Sequence, residues 1–146
     1  MLGLIKKLII LLMLSPILLS ISSCEIRTAK FEFDVEDGVI KVYDNRIEYA
    51  LLTVRTTCTS GWDYYENGNP PTGGKPTLLL FDGSAIEGTT TTNDIITQVD
   101  IRRGDVIERT WEFYLPDGFE PGEYTVKVSW NKSVETFENV SFTRKP

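Results

Sequence analysis

The segment LPDGFEPGEYTVKV, residues 115–128, decides the fold of this chain. Its first half contains Pro-Asp-Gly and Pro-Gly, which form turns because proline fixes φ and glycine tolerates positive φ. In its second half apolar residues alternate with polar ones, at Tyr124, Val126 and Val128. Successive side chains of a strand point to opposite faces, so the alternation predicts a half-buried β-strand. A turn that leads directly into such a strand is typical of all-β domains.

This segment resembles the passage into the penultimate strand of prokaryotic immunoglobulin-like domains, where Pro-Gly-x-Tyr, here Pro121-Gly122-Glu123-Tyr124, opens the strand. The resemblance implies that Tyr124 packs at a corner between two sheets and hydrogen-bonds to backbone. It also implies strand C at residues 77–81, strand E at 106–115, strand F at 123–130 and strand G at 133–143. The chain departs from antibody-type domains because it has no inter-sheet cysteine pair and no tryptophan in strand C.

The N-terminal half of the domain shows the same strand signals. Residues 31–36 alternate apolar and acidic side chains and lead into Asp37-Gly38, which predicts a tight hairpin. A second apolar run ends at the turn Asp44-Asn45. Residues 47–57 form the longest early apolar segment, which predicts a central strand buried on both faces.

The C-terminal half adds two more pairs of strands. Residues 95–103 and 106–115 flank Gly104-Asp105, which predicts either a hairpin or strands around a sharp corner. The strand that contains Tyr124 turns at Asn131-Lys132 and returns towards Phe142. The apolar phase of the returning strand shifts, which predicts a β-bulge at Glu138-Asn139.

Together these segments predict an all-β fold. No apolar repeat at helical spacing follows residue 24, and turn signals separate about seven or eight short strands at regular intervals. We therefore expect an immunoglobulin-like antiparallel β-sandwich over residues 30–146, preceded by a cleaved signal helix.

The sequence Leu19-Ser20-Ile21-Ser22-Ser23-Cys24 resembles the lipobox of prokaryotic lipoprotein signals. The resemblance implies a signal peptide over residues 1–23, a diacylglycerol thioether on Cys24 and a tether over residues 24–29. The apolar stretch after Lys6-Lys7 has 14 residues. As a helix it would reach about 21 Å, less than the roughly 30 Å of a bilayer core. A cleaved signal is therefore favoured over an uncleaved N-terminal anchor.

Cleavage before Cys24 would leave 123 residues with 13 basic and 21 acidic side chains, a net charge of −8. This acidic balance argues against a nucleic-acid partner and against polybasic docking on anionic lipid. We expect an exported protein on the extracytoplasmic face of the cell membrane. The membrane would be its partner through lipidated Cys24 alone, and the acidic body would stand off the membrane surface.

The chain offers little catalytic chemistry. Histidine is absent, so a Ser-His-Asp or Cys-His arrangement is excluded, and no zinc site or phosphate-binding glycine loop is apparent. Lipidation of Cys24 would leave Cys58 without an intramolecular partner. We expect Cys58 to be a buried small hydrophobe, and a reactive or intermolecular thiol is the alternative. The sequence predicts no catalytic residue, no metal site and no cofactor, and hence a protein that is not an enzyme.

The best candidate for binding is the 19-residue stretch 58–76, because loops of this length are often functional. It contains Trp62, Asp63, Tyr64 and Tyr65, in which aromatic rings stand beside acidic groups. Such a group could stack on a sugar ring or anchor a protein partner. The alternative is a structural lid, in which Trp62 and Tyr64 fold back over the end of the sandwich.

Two N-glycosylation sequons begin at Asn131 and Asn139. The first lies on a predicted hairpin tip and is the better candidate. Both matter only in an organism that glycosylates exported proteins. Otherwise they are a turn residue and a bulge residue.

A second resemblance concerns Arg103-Gly104-Asp105, Trp111 and Pro121-Gly122-Glu123-Tyr124, which are similar to the C-terminal half of the intracellular proteinase inhibitor (BsuPI-type) family. It implies an immunoglobulin-like sandwich and protease inhibition, with no inhibitory residues assigned. We therefore carry two functional hypotheses. The favoured one is a membrane-anchored, non-enzymatic module that binds an unknown protein or glycan through end loops, and the alternative is an extracytoplasmic protease inhibitor.

Overall fold

The computed structural model of the protein describes residues 29–44, 46–64, 72–90 and 100–146, with Tyr64 described by its backbone alone. The predicted signal peptide and Cys24 lie outside these residues. The described chain forms eleven strands: β1 (Lys30–Val35), β2 (Gly38–Tyr43), β3 (Ile47–Ser60), β4 (Trp62–Tyr64), β5 (Lys75–Leu79), β6 (Ala85–Glu87), β7 (Thr89–Thr90), β8 (Asp100–Arg102), β9 (Val106–Tyr114), β10 (Gly122–Trp130) and β11 (Ser133–Arg144). Seven of them have five or more residues, and the other four have two or three.

The strands form two layers, which confirms the predicted all-β, immunoglobulin-like sandwich. One layer contains β1, β3, β9 and β7, and the other contains β6, β5, β10 and β11. The strands expected as C, E, F and G are β5, β9, β10 and β11. Strand β2 pairs antiparallel with β3 and in parallel with β11, so hydrogen bonds continue from one layer into the other.

The core lies between the two layers and follows from the period-2 patterns. Most inward positions of β3, β9, β10 and β11 are apolar, with buried Thr56 as an exception, and most of their outward neighbours are polar or half-buried. Burying such side chains stabilises the fold by about 1.5–3 kcal/mol for each large residue. The core side chains with essentially no exposed surface include Leu52, Val54, Phe113, Val126, Val128 and Phe142.

The corner implied for Tyr124 is confirmed. Its ring stacks on Phe119 with centroids 4.7 Å apart and meets the edge of Phe142 at 5.8 Å. Its hydroxyl donates a hydrogen bond to the backbone carbonyl of Glu120. Burial raises the pKa of Tyr124, so the phenol remains a neutral donor.

The predicted bulge is also confirmed. Tyr124 lies opposite Val140 and Val126 lies opposite Phe137, so two residues of β11, Glu138-Asn139, oppose one residue of β10. Asn139 has a φ of 58°, in the left-handed region that asparagine tolerates better than most residues. The extra residue accounts for the shift in apolar phase along β11.

The prediction of a hairpin at Asp37-Gly38 is wrong. Both β1 and β2 pair with β3, and β2 has β11 as its other neighbour. At Gly38 the chain stays beside β3 and gains β11 as a second neighbour, and the Phe142 ring lies against the backbone there. A Cβ atom at this position would overlap that ring. Glycine is therefore required for close approach rather than for a turn.

The prediction that residues 47–57 are buried on both faces is wrong as well. Strand β3 runs on to Ser60, and its inward residues Ala50, Leu52 and Val54 are buried. The residues between them are half-buried or exposed, and Ile47 is 53% exposed. One face of β3 therefore lies on the outside of the sandwich.

Two further segments differ in detail from the expectations. Of the two alternatives at Gly104-Asp105, the sharp corner is observed, because β8 pairs with β4 and not with β9. Gly104 N–H donates to the Cys58 carbonyl at 2.8 Å, and Cys58 N–H donates to the Asp105 carbonyl at 2.9 Å. The expected long loop 58–76 is shorter than predicted, since its first residues extend β3 and form β4. Residues 91–99, which include most of the strand expected over 95–103, lie outside the described part.

Within the described residues, no helix is long and apolar enough to cross a bilayer.

The close approach at Gly38 can be tested with two alanine substitutions. Gly38→Ala would force Phe142 to move inside a packed core, and we expect it to lower the free energy of unfolding by about 3 kcal/mol. Gly83→Ala is the control: its φ is 87°, but no atom lies within 4 Å of a Cβ there. It should cost only the backbone strain, about 1 kcal/mol. Equal losses in urea unfolding would contradict the proposed role of Gly38.

Candidate functional site

The chain enters the sandwich at one end, here called the proximal end. Lys30, the first residue of β1, lies opposite Ser60, the last residue of β3. The β10–β11 hairpin turns at this same end, where Trp130 lies opposite Ser133. The other end of β3 begins at Ile47, about 43 Å away at 3.3 Å per residue. The proximal end is thus defined by where the chain arrives.

The predicted binding residues Trp62 and Asp63 lie at the proximal end. They belong to β4, which pairs with β8 as a separate two-stranded sheet with Trp62 opposite Arg102. The Trp62 side chain is 39% exposed. Asp63 Oδ2 accepts a hydrogen bond from Asn131 Nδ2 at 3.4 Å. The backbone of Tyr64 lies opposite Asp100, and Tyr65 lies outside the described residues.

Sequence reasoning missed the cations that surround Trp62. Arg102 and Arg103 line a cleft of about 390 Å³ together with Gly61 and Trp62. Arg103 comes from the corner after β8, and its N–H donates to the Gly61 carbonyl at 3.2 Å. These arginines are about forty residues away from Trp62 in the chain, so only the β4–β8 pairing brings them beside it.

A groove between β1 and β11 lies at the same end. It has a volume of about 600 Å³ and is lined by residues that include Lys30, Phe33, Lys132, Val134 and Glu135. A Glu135 carboxylate oxygen accepts a hydrogen bond from the Phe33 N–H at 3.3 Å. This contact satisfies one donor on the outer edge of β1, which reduces the tendency of that edge to pair with another strand.

Aromatic rings and a buried cysteine pack beneath the proximal end. The rings of Phe31 and Trp130 lie 4.3 Å apart and join the two layers. Cys58 is buried below them with 1% of its surface exposed, and its Sγ donates to the Ser60 carbonyl at 3.4 Å. Burial is the main reason that the pKa of the Cys58 thiol is raised. The geometry agrees with the expectation of a buried hydrophobe rather than a reactive thiol.

The sequon asparagines are both exposed and both have positive φ, 54° at Asn131 and 58° at Asn139. Asn131 lies in the hairpin turn beside Asp63, and Asn139 lies in the bulge. Each position therefore has a structural reason for asparagine. Their use as glycosylation sites stays a prediction.

A second surface, which the sequence reasoning missed, lies at the other end. Tyr43 pairs with Ile47, and Tyr49 pairs with Tyr114, so the four side chains share the outer face of the β2–β3–β9 sheet. Tyr43 is 67% exposed, Ile47 53% and Tyr114 63%. We call these four residues the distal patch. The alternation of residues 47–55, which ends in a charged Arg55, is the signal that could have revealed this outward face.

Charged side chains lie beside the distal patch. Glu112, next to Tyr114 on the outer face of β9, raises the pKa of the Tyr114 phenol by Coulombic repulsion, so the hydroxyl stays neutral. Behind the patch, Arg144 Nε and Glu48 Oε1 form an ion pair at 2.9 Å that ties the end of β11 to β3. A partly aromatic surface on paired strands, flanked by the charges of Lys41 and Glu112, is suited to recognition.

Within the described residues, no group of three or more acidic or cysteine side chains is arranged to hold a metal ion. The three segments that resemble the BsuPI-type family all have structural positions. Gly104-Asp105 forms the corner before β9, Trp111 is buried in the core, and Tyr124 forms the inter-sheet corner.

Comparison with known proteins supports the fold and nothing finer. No family model and no curated protein matches the chain. A secreted protein of Mycobacterium tuberculosis, MPT63, superposes with a TM-score of 0.50 at 14% identity, over 75% of this chain and 83% of that one. A proposed lipoprotein of Staphylococcus aureus superposes with a TM-score of 0.45 at 12% identity, over 80% of this chain and 90% of that one. Identities this low show a shared fold only, and the conclusion that the fold is shared rests on MPT63.

The state of the Cys58 thiol can be measured directly. In the mature chain carrying Cys24→Ser, we expect Cys58 to react with a thiol reagent at least about a hundredfold more slowly when folded than in denaturant, because it is buried and protonated. Ser129→Cys, at an exposed position of β10, is the control and should add one fast equivalent. Fast labelling of Cys58 in the native protein would show that it is a reactive site after all.

Proposed function

We propose that this protein is exported, anchored to the outer face of the cell membrane through lipid on Cys24, and acts by binding a partner protein without catalysis. The observation that carries the proposal is the position of two surfaces on one rigid body. The chain arrives at the proximal end, and the distal patch lies at the opposite end of β3. A tether at residues 24–29 would hold the proximal end at the membrane and present the distal patch to the surroundings.

Export is supported by the lipobox at Leu19 to Cys24 and by the apolar stretch before it, which is too short for a bilayer span. The fold is one that a secreted mycobacterial protein also adopts. The buried state of Cys58 leaves Cys24 as the cysteine available for a thioether.

The composition of the distal patch favours a protein over a glycan. Ile47, the aliphatic member of the patch, would bury apolar area against a partner protein but cannot form hydrogen bonds with sugar hydroxyls. Tyrosine contributes a large contact area, a polar hydroxyl and little side-chain entropy, and it is enriched at binding hot spots. The patch lies on paired strands, so its side chains are positioned before a partner arrives.

The lipid anchor is tested by the mass of the N-terminal peptide from a lipoprotein-processing bacterium. We expect a peptide that begins at Cys24 and carries diacylglycerol, and we expect Cys24→Ser to move the protein out of the membrane fraction. The matched control is Cys58→Ala, which removes the other cysteine and should leave membrane attachment unchanged. A processed Cys24→Ser protein that remains in the membrane fraction would contradict the anchor.

The distal patch is tested by photo-crosslinking in the same cells. A photoreactive residue in place of Tyr114 should give one discrete adduct with a protein, whereas the same residue in place of the exposed Lys127, on the other layer, should give none. Adding Ile47→Asp should abolish the adduct. This change costs less than about 1 kcal/mol of stability because the side chain is half exposed. Adducts of equal yield at both positions would contradict binding at the patch.

The same variants address the protease-inhibitor alternative. The mature Cys24→Ser chain should leave common serine and cysteine proteases uninhibited. Inhibition that is lost in Ile47→Asp would instead make a protease the partner at the distal patch.

A further inference from the structure

We propose that the distal patch binds the distal patch of a second copy of this chain, so that two anchored molecules form a dimer on one membrane. The inference rests on the proposed function, because it names the protein that binds the patch and assumes the anchor on Cys24. Three features of the molecule support a second copy: the extent of the apolar area, the charges on its two flanks, and the direction of the strands relative to the anchor.

The apolar area has a defined boundary on the outer face of β2, β3 and β9. The half-buried Val39 and Leu51 lie opposite each other and extend the distal patch by one row of the sheet. In the next row the hydroxyls of Thr53 and Thr110 share a hydrogen bond at 3.0 Å. We call the part of the face between this row and the distal tip the distal half.

Opposite charges flank the apolar rows. Lys41 is exposed on β2 opposite Tyr49, and Glu112 is half-buried on β9 opposite Leu51. Neither Lys41 nor Glu112 belongs to any of the four ion pairs found in the described residues. The cation therefore lies on the β2 side of the face, and the acid lies on the β9 side.

The other exposed charges near the distal tip have the same distribution. Arg46 follows β2, and Lys145 lies beside β2 after the end of β11. Asp44, in the same turn as Arg46, offsets one of these cations, and Asp117 follows β9. The ion pair behind the patch is neutral. With the flanking residues included, the β2 side has three cations and one acid, and the β9 side has two acids.

A two-fold axis parallel to the strands makes these charges complementary. Such an axis places β3 of one copy over β3 of the other and β2 over β9, and every contact occurs twice. Lys41, Tyr49 and Tyr114 form one row across the sheet. Lys41 therefore lies over Tyr114 of the partner copy and beside its Glu112, where the ring and the carboxylate both attract a cation. Sheets stack about 10 Å apart, a gap that the facing side chains span together.

An axis across the strands would not make the charges complementary. It would place β2 over β2 and β9 over β9, so that cations face cations and acids face acids. The anchor favours the parallel axis as well. In the proposed function the body stands upright, with β3 along the membrane normal. Two upright copies in one membrane are related by an axis along that normal.

The remainder of the outer face keeps the two copies apart near the membrane. Arg55 pairs with Glu108 at 2.9 Å, and the charges of Asp34 and Glu36 also act on it. With the parallel axis, Asp34 and Glu36 would face Glu108 of the partner copy, which is unfavourable. We therefore place the contact in the distal half alone, with the two bodies diverging towards the membrane.

The contact is small, so the dimer depends on the membrane. Between Ile47 and Thr53 the face measures about 20 Å along β3 and roughly 15 Å across three strands. This is well below the area of about 800 Å² per partner that is typical of stable complexes. Each mature chain also carries a net charge of −8, whose repulsion is screened over about 8 Å. We therefore expect the chain without lipid to be a monomer, and pairing to require the effective concentration that a shared membrane provides.

The experiment uses the lipidated protein alone in phosphatidylcholine vesicles, with a photoreactive residue in place of Tyr114. We expect an adduct of twice the chain mass, in which this residue is joined to β2 of the second copy. The matched control has the same residue in place of Glu108, on the same strand and face but in the charged part, and should give about tenfold less adduct. The Cys24→Ser chain at micromolar concentration should give none.

Charge reversal distinguishes a second copy from any other partner. Lys41→Glu or Glu112→Lys alone should lower the adduct yield about tenfold, because like charges then meet on both flanks. Mixing the two variants should restore the yield, and so should the double variant, because a cation again faces an acid on each flank. The control Lys127→Glu makes the same change in net charge on the other layer and should leave the yield unchanged.

The identity and the position of the adduct separate this inference from the proposed function. An adduct that forms in cells with another protein, but not in vesicles of the purified lipoprotein, would overturn the second copy and leave the proposed function intact. No adduct in either setting would overturn binding at the distal patch altogether. Crosslinks from the Tyr114 position to β9 of the second copy, or equal yields from Lys41→Glu and Lys127→Glu, would overturn the parallel two-fold arrangement.

Discussion

The architecture depends on the double pairing of β2. This strand shares hydrogen bonds with β3 on one side and with β11 on the other, and it thereby ties the two layers of the sandwich together. The pairing with β11 is possible because Gly38 lets the ring of Phe142 lie on its backbone. Without this contact the described layers would be joined by side-chain packing and by side-chain contacts such as the Arg144–Glu48 ion pair, and not by a backbone ladder. The fixed register is what places the proximal end and the distal patch at opposite ends of one body.

Features that depend on near neighbours in sequence could be predicted. Pro121-Gly122-Glu123-Tyr124 predicts the corner, because the tyrosine hydroxyl reaches a carbonyl only four residues away. The bulge at Glu138-Asn139 follows from a phase shift within one strand, and asparagine is suited to the positive φ that the bulge requires. In both cases the deciding interaction lies inside a short window of sequence.

Pairings between distant segments could not be predicted in the same way. Asp37-Gly38 has the composition of a hairpin turn, yet the partner of β1 is β3, and no local signal distinguishes the two outcomes. The outward face of β3 is indicated only by polar residues such as Arg55, because Ile47 and Tyr49 are apolar and apolar residues are expected inside. At the proximal end, Trp62 stands out in the sequence for its aromatic ring. Arg103 and Lys132 do not, because only the fold brings segments so far apart in the chain together.

The parallel ladder between β2 and β11 has a mechanical consequence. Both strands run away from the proximal end, and the described chain enters there at β1 and finishes β11 at the opposite end. A force that stretches the molecule between these two points would act along the strands. Their hydrogen bonds would then be sheared together instead of being unzipped one at a time. A protein held at its base and pulled through its far end would therefore resist extension in the direction in which load arrives.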